Sequence, residues 1–181
     1  KFAIEGIQDI QKQTEKSKAF YFPYVEEKKG VADKLLIELA KNAAAVVTDD
    51  YPTYFVPQMT AEAKGSIQTT YELVDSNGLL PIRIAEKEFV RAHDFRRFMH
   101  KNIEDFLVEV PEKDPLEYLN LKFDEKLLEP IFKKYDLVDF NKVNTQDFLK
   151  NLNVDKSVEV SDVVGGYNAA KSRLDLFAKK G

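Results

Sequence analysis

Ala44-Ala45-Val46-Val47-Thr48-Asp49-Asp50-Tyr51-Pro52 and, one helix-length spacer later, Tyr71-Glu72-Leu73-Val74-Asp75-Ser76-Asn77-Gly78-Leu79-Leu80-Pro81-Ile82-Arg83 are the segments on which the fold turns. Each reads as a short strand that runs into carboxylates. Ala44 to Val47 has almost no polar alternation, the habit of a strand covered on both faces inside a parallel sheet. Thr69 to Val74 supplies another strand, and between the two Pro57 to Lys64 carries a helical pattern that Gly65 is expected to break. In an open α/β sheet, ligands collect in the crevice beyond the carboxyl ends of the strands. Two strand ends bearing acids are therefore where a cofactor or chemistry is expected.

Working outward, Phe2, Ile4, Ile7 and Ile10 fit one face of an amphipathic helix, and the polar run Gln11 to Lys18 carries it to its end. Ala19-Phe20-Tyr21-Phe22 reads as a short aromatic strand closed by Pro23. Val31 to Leu39 predicts the next helix, with Val31, Leu35, Leu36 and Leu39 on its buried stripe and Asn42 terminating it. The first half thus alternates α-β-α-β-α-β, which implies right-handed crossovers and a parallel sheet. The expected class is α/β, a Rossmann-like parallel sheet flanked by helices over residues 1–111. Such a sheet ordinarily opens on a strand, whereas this chain opens on a helix without a methionine, so the domain's first strand is expected upstream of Lys1.

The second half changes character. Ala92 to Leu107 is helical by period, with Ala92, Phe95, Met99, Ile103 and Phe106 at steps of three and four, and Pro111 ends it. Residues 112–181 then read as an irregular, partly helical connector, with short helical runs at Lys126 to Tyr135 and Thr145 to Leu149. Gly165-Gly166 precedes a closing helix whose apolar face is Tyr167, Ala170, Leu174 and Phe177.

Composition narrows the function classes. At 181 residues and 44% hydrophobic, the chain is long enough for one ordinary domain plus an appendage. With no cysteine, disulfides, thiolate metal sites and cysteine nucleophiles are excluded. No apolar run reaches the length of a membrane span and no signal-peptide pattern opens the chain, so a cytoplasmic protein without a membrane partner is expected. A net charge of −4 argues against the whole surface being a nucleic-acid footprint, while leaving room for a local basic patch.

Candidate chemistry is sparse. The only histidines, His93 and His100, are seven residues apart on one helix among Arg91, Arg96, Arg97 and Lys101, and Asp94 is the single carboxylate at hand to orient either. A helix-surface role fits them better than catalysis or metal binding. The basic cluster from Arg83 to Lys101 reads first as a solvated helix face or a patch salt-bridged to a neighbouring domain, and second as a phosphate contact. Gly165-Gly166 sits before a helix, where exposed amides suit an anion, yet neither GxGxxG nor GxxxxGK[ST] occurs, and a turn that starts a helix is the simpler reading. Asp49, Asp50 and Asp75 have the residue type for paired-carboxylate acid/base work, but Asp and Asn are also favoured where a strand turns into a loop.

Taken in order, Ala44 to Pro52, Val74-Asp75-Ser76-Asn77-Gly78-Leu79-Leu80-Pro81, and Ala92-His93-Asp94-Phe95-Arg96-Arg97-Phe98 resemble the N-terminal α/β domain of the DNA photolyase and cryptochrome family, with the closest similarity to class II-type deoxyribodipyrimidine photolyases. Phe2 to Ile10 resembles the helix that precedes the strand Ala19 to Phe22 in that family. Val154-Asp155-Lys156-Ser157-Val158, then Gly165-Gly166 with Ala170, Leu174 and Phe177, is similar to the family's connector and the helix leading into its flavin domain. Each motif is weak alone; five in the right order and spacing cover nearly the whole chain.

The resemblance implies a fragment of a light-dependent DNA repair enzyme that acts on damaged DNA as a monomer. In the family, FAD in a separate C-terminal domain passes an electron to a pyrimidine dimer flipped into its pocket. This fragment alone is then expected to be inactive, serving as structural support and housing for an antenna folate or deazaflavin. Asp49 stands where deazaflavin-binding relatives carry an aspartate, and it is the one site residue the resemblance transfers. Asp75 and Asn77 match the family pattern as loop-shaping residues. Two alternatives stay open: a cryptochrome-type photoreceptor on the same fold, and a stand-alone nucleotide-binding α/β module of the electron-transfer-flavoprotein kind.

Overall fold

In the computed structural model, which describes residues 1–26, 30–108, 110–120 and 124–180, strands β1 (Ala45–Asp49) and β2 (Thr70–Val74) pair in parallel, Ala45 opposite Thr70 and Asp49 opposite Val74. Among the described residues the sheet has these two strands, with helices throughout the rest of the chain. The protein is therefore mixed α/β. The chain divides into two units, one formed by residues 1–32 with 114–181 and the other by residues 33–113.

In the second unit, helix α2 (Val31–Ala40) leads towards β1, and it buries Leu35 and Ala40. Thr69 Oγ1 donates to the Ala40 carbonyl at 3.0 Å, tying the end of that helix to the residue before β2. Helix α3 (Val56–Ser66), with Pro57 in its first turn, connects the strands. Its span runs through Gly65, because a glycine near a helix end costs only about 1 kcal/mol and the chain turns extended just afterwards, at Ile67. Helix α4 (Ala92–Asn102) is shorter than its periodicity predicts: Asn102 Nδ2 donates to the Phe98 carbonyl at 2.7 Å, and the chain tightens into a 3₁₀ turn over Ile103–Phe106. Coverage of the strands also departs from expectation. Val46, Thr48 and Tyr71 are half-buried, whereas Val47 and Val74 are about half exposed, so helices do not cover both faces.

The first unit is built around helix α1 (Phe2–Thr14). The polar run that closes this helix does more than end it. Gln11 donates from Nε2 to Asp139 Oδ1 at 2.9 Å and accepts the Phe140 amide on Oε1 at 3.1 Å, while Gln8 Nε2 donates to the Phe140 carbonyl at 2.8 Å. Phe140 is the most buried large side chain among the described residues, and its ring meets Phe148 edge-on at 5.4 Å. Ile4, Leu128, Ile131 and Tyr135 complete the buried apolar set of this unit.

Residues 19–22 belong to no strand. Phe20 and Phe22 instead pack against Phe132 at 5.5 and 5.8 Å between ring centroids, and Pro23 offers its carbonyl to the Val138 amide at 3.1 Å. Aromatic alternation here serves side-chain stacking and not a sheet ladder. The helical run near Lys126 is likewise split, a 3₁₀ turn at Glu125–Leu128 followed by helix α5 (Glu129–Phe132), since Pro130 lacks the amide that a continuous helix requires. Helix α6 (Thr145–Asn151) is capped by Asn144, whose side chain accepts from the amides of Gln146 and Asp147.

Helix α7 (Tyr167–Lys180) contacts α1 through the paired glycines. A Cβ at Gly165 would collide with the Phe2 carbonyl, and Gly166 has φ +94°, the left-handed region that favours glycine. The apolar face expected of α7 is not buried: Tyr167, Leu174 and Phe177 are all largely exposed.

Because Phe140 fills a site closed by rings and by hydrogen bonds from α1, truncation should leave a cavity that the surroundings cannot collapse into. Phe140→Ala is expected to lower the unfolding free energy by about 3–5 kcal/mol, measured by urea denaturation followed by far-ultraviolet circular dichroism. A loss under about 1 kcal/mol would contradict this account of the α1 packing.

Candidate functional site

Parallel pairing brings the ends of β1 and β2 to one edge, and there the acids of the two segments meet. The Asp50 amide donates to the Val74 carbonyl at 2.8 Å, extending the ladder one residue beyond the strands. Ser76 Oγ donates to Asp49 Oδ1 at 2.6 Å. Asn77 Nδ2 donates to the Asp50 carbonyl at 2.7 Å and reaches Asp75 Oδ1 at 3.3 Å. Arg83 closes the cluster on Asp50 Oδ2, with Nε at 2.7 Å and Nη2 at 2.5 Å. Every carboxylate in the group therefore has a donor from the same unit.

Asp75 is the organiser of the second loop. Its Oδ2 accepts the Ile82 amide at 2.6 Å and its Oδ1 accepts the Asn77 amide at 3.4 Å, so one side chain holds the turn through Gly78 and Pro81. The Ile82 amide is the main reason its carboxyl is held below the ordinary value of 3.8; Asn77 and the nearby Arg83 act in the same direction, against some desolvation. A carboxylate stabilised as the anion in this way is a poor proton donor near neutrality. The arrangement suits scaffolding better than acid/base catalysis.

Beside the second loop lies an apolar cavity of about 340 Å³, bounded by Leu79, Leu80, Ile82, Phe95, Met99 and Ile103 among others. Its walls carry few polar groups to orient a ligand. After β1, Tyr51, Tyr54 and Phe55 are exposed, and Tyr54 has φ +58°, a left-handed backbone uncommon for a bulky side chain. Sequence patterns carry no signal for that conformation in a tyrosine.

The histidines do not converge on anything. His93 Nδ1 stands 3.7 Å from Asp94 Oδ1 with both side chains exposed, and His100 is one face-repeat further along the same helix. Among the described residues no group of three or more His, Cys, Asp or Glu is placed to hold a metal ion.

The paired glycines carry the chain's own anions. Glu5 Oε2 accepts the Gly165 amide at 2.8 Å, and Asp9 Oδ2 accepts the Asn168 amide at 3.1 Å at the start of α7. A helix N-terminus occupied by two carboxylates from α1 does not fit the phosphates of a flavin nucleotide.

Asp49 lies exposed at the sheet edge, joined to Ser76. The structure brings together Asp49, Asp50 and Asp75 as the sequence pattern suggested, and adds Ser76 and Arg83, whose importance rests on tertiary pairing across 27 and 33 residues. No family model, no curated protein and no solved structure matches this chain. Among the described residues no helix is long and apolar enough to cross a membrane.

The depressed ionisation of Asp75 sets a pH signature. Its folded-state value lies below the unfolded one, so its contribution to stability is complete above 3.8 and is lost as pH falls from there through the folded value. Asp75→Asn is therefore expected to destabilise the protein at neutral pH and to match the parent progressively more closely as pH drops below 3.8. Urea titrations of both proteins across that range would show it; a difference that stays constant or grows in acid would refute the assignment.

Proposed function

We propose that this chain is the N-terminal α/β domain of a DNA photolyase, a light-dependent enzyme that repairs pyrimidine dimers. The observation that supports the reading most is the meeting of Thr48-Asp49-Asp50 with Asp75-Ser76-Asn77-Gly78 at one edge of a parallel strand pair. These are the segments through which the sequence resembles the family, and their side chains are spent on holding two loops together. That is the behaviour of a supporting domain. The glycine pair of this chain is filled by Glu5 and Asp9 and does not fit FAD, so in this reading the flavin and the lesion pocket belong to a further domain of the intact protein. The chain itself supplies no step of the repair.

Asp49 is the residue proposed to face an antenna folate or deazaflavin, because its carboxylate is exposed and held at a set angle by Ser76. In the intact protein, Asp49→Ala should reduce the antenna pigment that co-purifies, leaving dimer splitting under direct flavin excitation in place. The proposed partner is damaged DNA, bound by the intact monomer.

The deciding experiment uses the natural gene product that contains this chain. Incubated with DNA bearing thymine dimers, it is expected to restore intact thymines under near-ultraviolet or blue light and to do nothing in the dark. Absence of splitting under illumination would overturn the repair reading, and a light-dependent flavin absorbance change without splitting would favour the cryptochrome alternative.

A further inference from the structure

The proposed function leaves one strongly charged surface unused, the outer face of α4. At 3.6 residues per turn, His93, Arg96, Arg97, His100 and Lys101 fall at i, i+3, i+4, i+7 and i+8, a stripe confined to roughly 140° of the helix circumference. All five are exposed. The opposite face is apolar: Phe89 lies 5.4 Å from Phe95 and 5.0 Å from Phe98 between ring centroids, and Met99 with Phe95 borders the cavity beside Leu79 and Ile82. The helix is thus held by one side and offers only polar groups on the other.

Two cations in the loop between β2 and α4 have partners within this unit, whereas the arginines and the lysine of the stripe have none among the described residues. Arg83 is engaged by Asp50, and Lys87 stands over the Phe89 ring at 5.9 Å. Arg96, Arg97 and Lys101 form no ion pair with any described residue, and Asp94 leans towards His93. Glu104 and Asp105 follow in the 3₁₀ turn beyond the helix. A chain of net charge −4 has no general excess of cations to distribute, so this concentration is local.

We infer that the stripe is a docking surface for nucleic-acid backbone, with Arg96, Arg97 and Lys101 contacting phosphates. Neighbouring positions on such a stripe are about 5–6 Å apart, which presents repeated positive charge to a polymer whose negative charge also repeats. Guanidinium groups bind phosphate oxygens in a forked geometry, and two of them are adjacent here. A membrane surface is the weaker match, because an interfacial helix binds by sinking its apolar face and this helix has that face turned to Phe89. An acidic protein is weaker too, since protein interfaces are anchored by buried aromatic or aliphatic residues and the stripe has none, whereas nucleic-acid interfaces are polar and positively charged. The contact carries no sequence information: phosphates position, and bases specify. This inference stands apart from the repair reading, for it concerns only α4.

The test is fluorescence anisotropy of a labelled random-sequence DNA duplex titrated with the 181-residue chain. With three phosphate contacts, the affinity should fall about 40-fold between about 50 and 200 mM salt, a log–log slope of about −2.7. Arg96→Gln/Arg97→Gln/Lys101→Gln should bind far more weakly and lose most of the slope, while Arg96→Lys/Arg97→Lys should keep it. Circular dichroism on each variant checks that α4 is intact; Gln and Lys have about the same helix propensity as the residues they replace. Three results would overturn the proposal: no DNA binding at the lowest salt, equal binding by the glutamine variant, or equal or tighter binding of the parent to phosphatidylserine vesicles. None of them bears on dimer splitting, so the two readings fail separately.

Discussion

Parallel pairing of β1 with β2 is the constraint from which the site follows. A parallel pair cannot be closed by a tight turn, so the chain must leave the end of β1, pass through α3 and return to the start of β2. The consequence is that both strands finish at the same edge. With Asp49 opposite Val74, the two loops that follow emerge side by side, and residues 27 apart in sequence come within hydrogen-bonding distance. An antiparallel arrangement would have sent the acids of Asp49-Asp50 and Asp75 to opposite ends of the pair.

Once the loops are adjacent, their chemistry is consumed by fastening them. Ser76 engages Asp49, Asn77 bridges to the Asp50 carbonyl, and Arg83 pairs with Asp50 across the same gap. The surface ion pair contributes little by itself, about 0–1 kcal/mol for a guanidinium as exposed as that of Arg83. The network matters through geometry, because each donor fixes one turn of one loop. Of the acids that sit where an α/β protein ordinarily places its ligand, Asp75 is stabilised as the anion chiefly by the Ile82 amide, while Asp49 and Asp50 are taken up by Ser76 and Arg83, so that the side chains of this edge are engaged in fastening the two loops.

The other unit repeats the same economy with different parts. Gln8 and Gln11 satisfy the backbone around Phe140, allowing a large ring to be buried without stranding its amide or carbonyl. Glu5 and Asp9 on the adjoining stretch of α1 take the amides at the head of α7, where only glycine permits so close an approach. One helix thus supplies hydrogen-bond partners on two sides. The polar positions of α1, from Glu5 to Gln11, prove to be where much of the specific packing is made.

Periodicity and turn chemistry in the sequence by themselves determined the two strands, the helices from Phe2, Val31, Val56, Ala92, Thr145 and Tyr167 to within a few residues, the parallel sense of the pair, and the absence of cysteine chemistry. These are local properties, set by side-chain spacing and by what each residue does to its own backbone. Tertiary structure alone decided the rest. Ala19–Phe22 has strand-like alternation but is claimed by the Phe132 ring, and α4 gives way after Asn102 to a 3₁₀ turn over Ile103–Phe106. Ser76 and Arg83 gained their roles from partners 27 and 33 residues away. Spacing along a chain cannot encode which distant group will arrive at hydrogen-bonding distance, because that is fixed only when strand register and helix packing set the relative positions of segments that never neighbour one another in sequence.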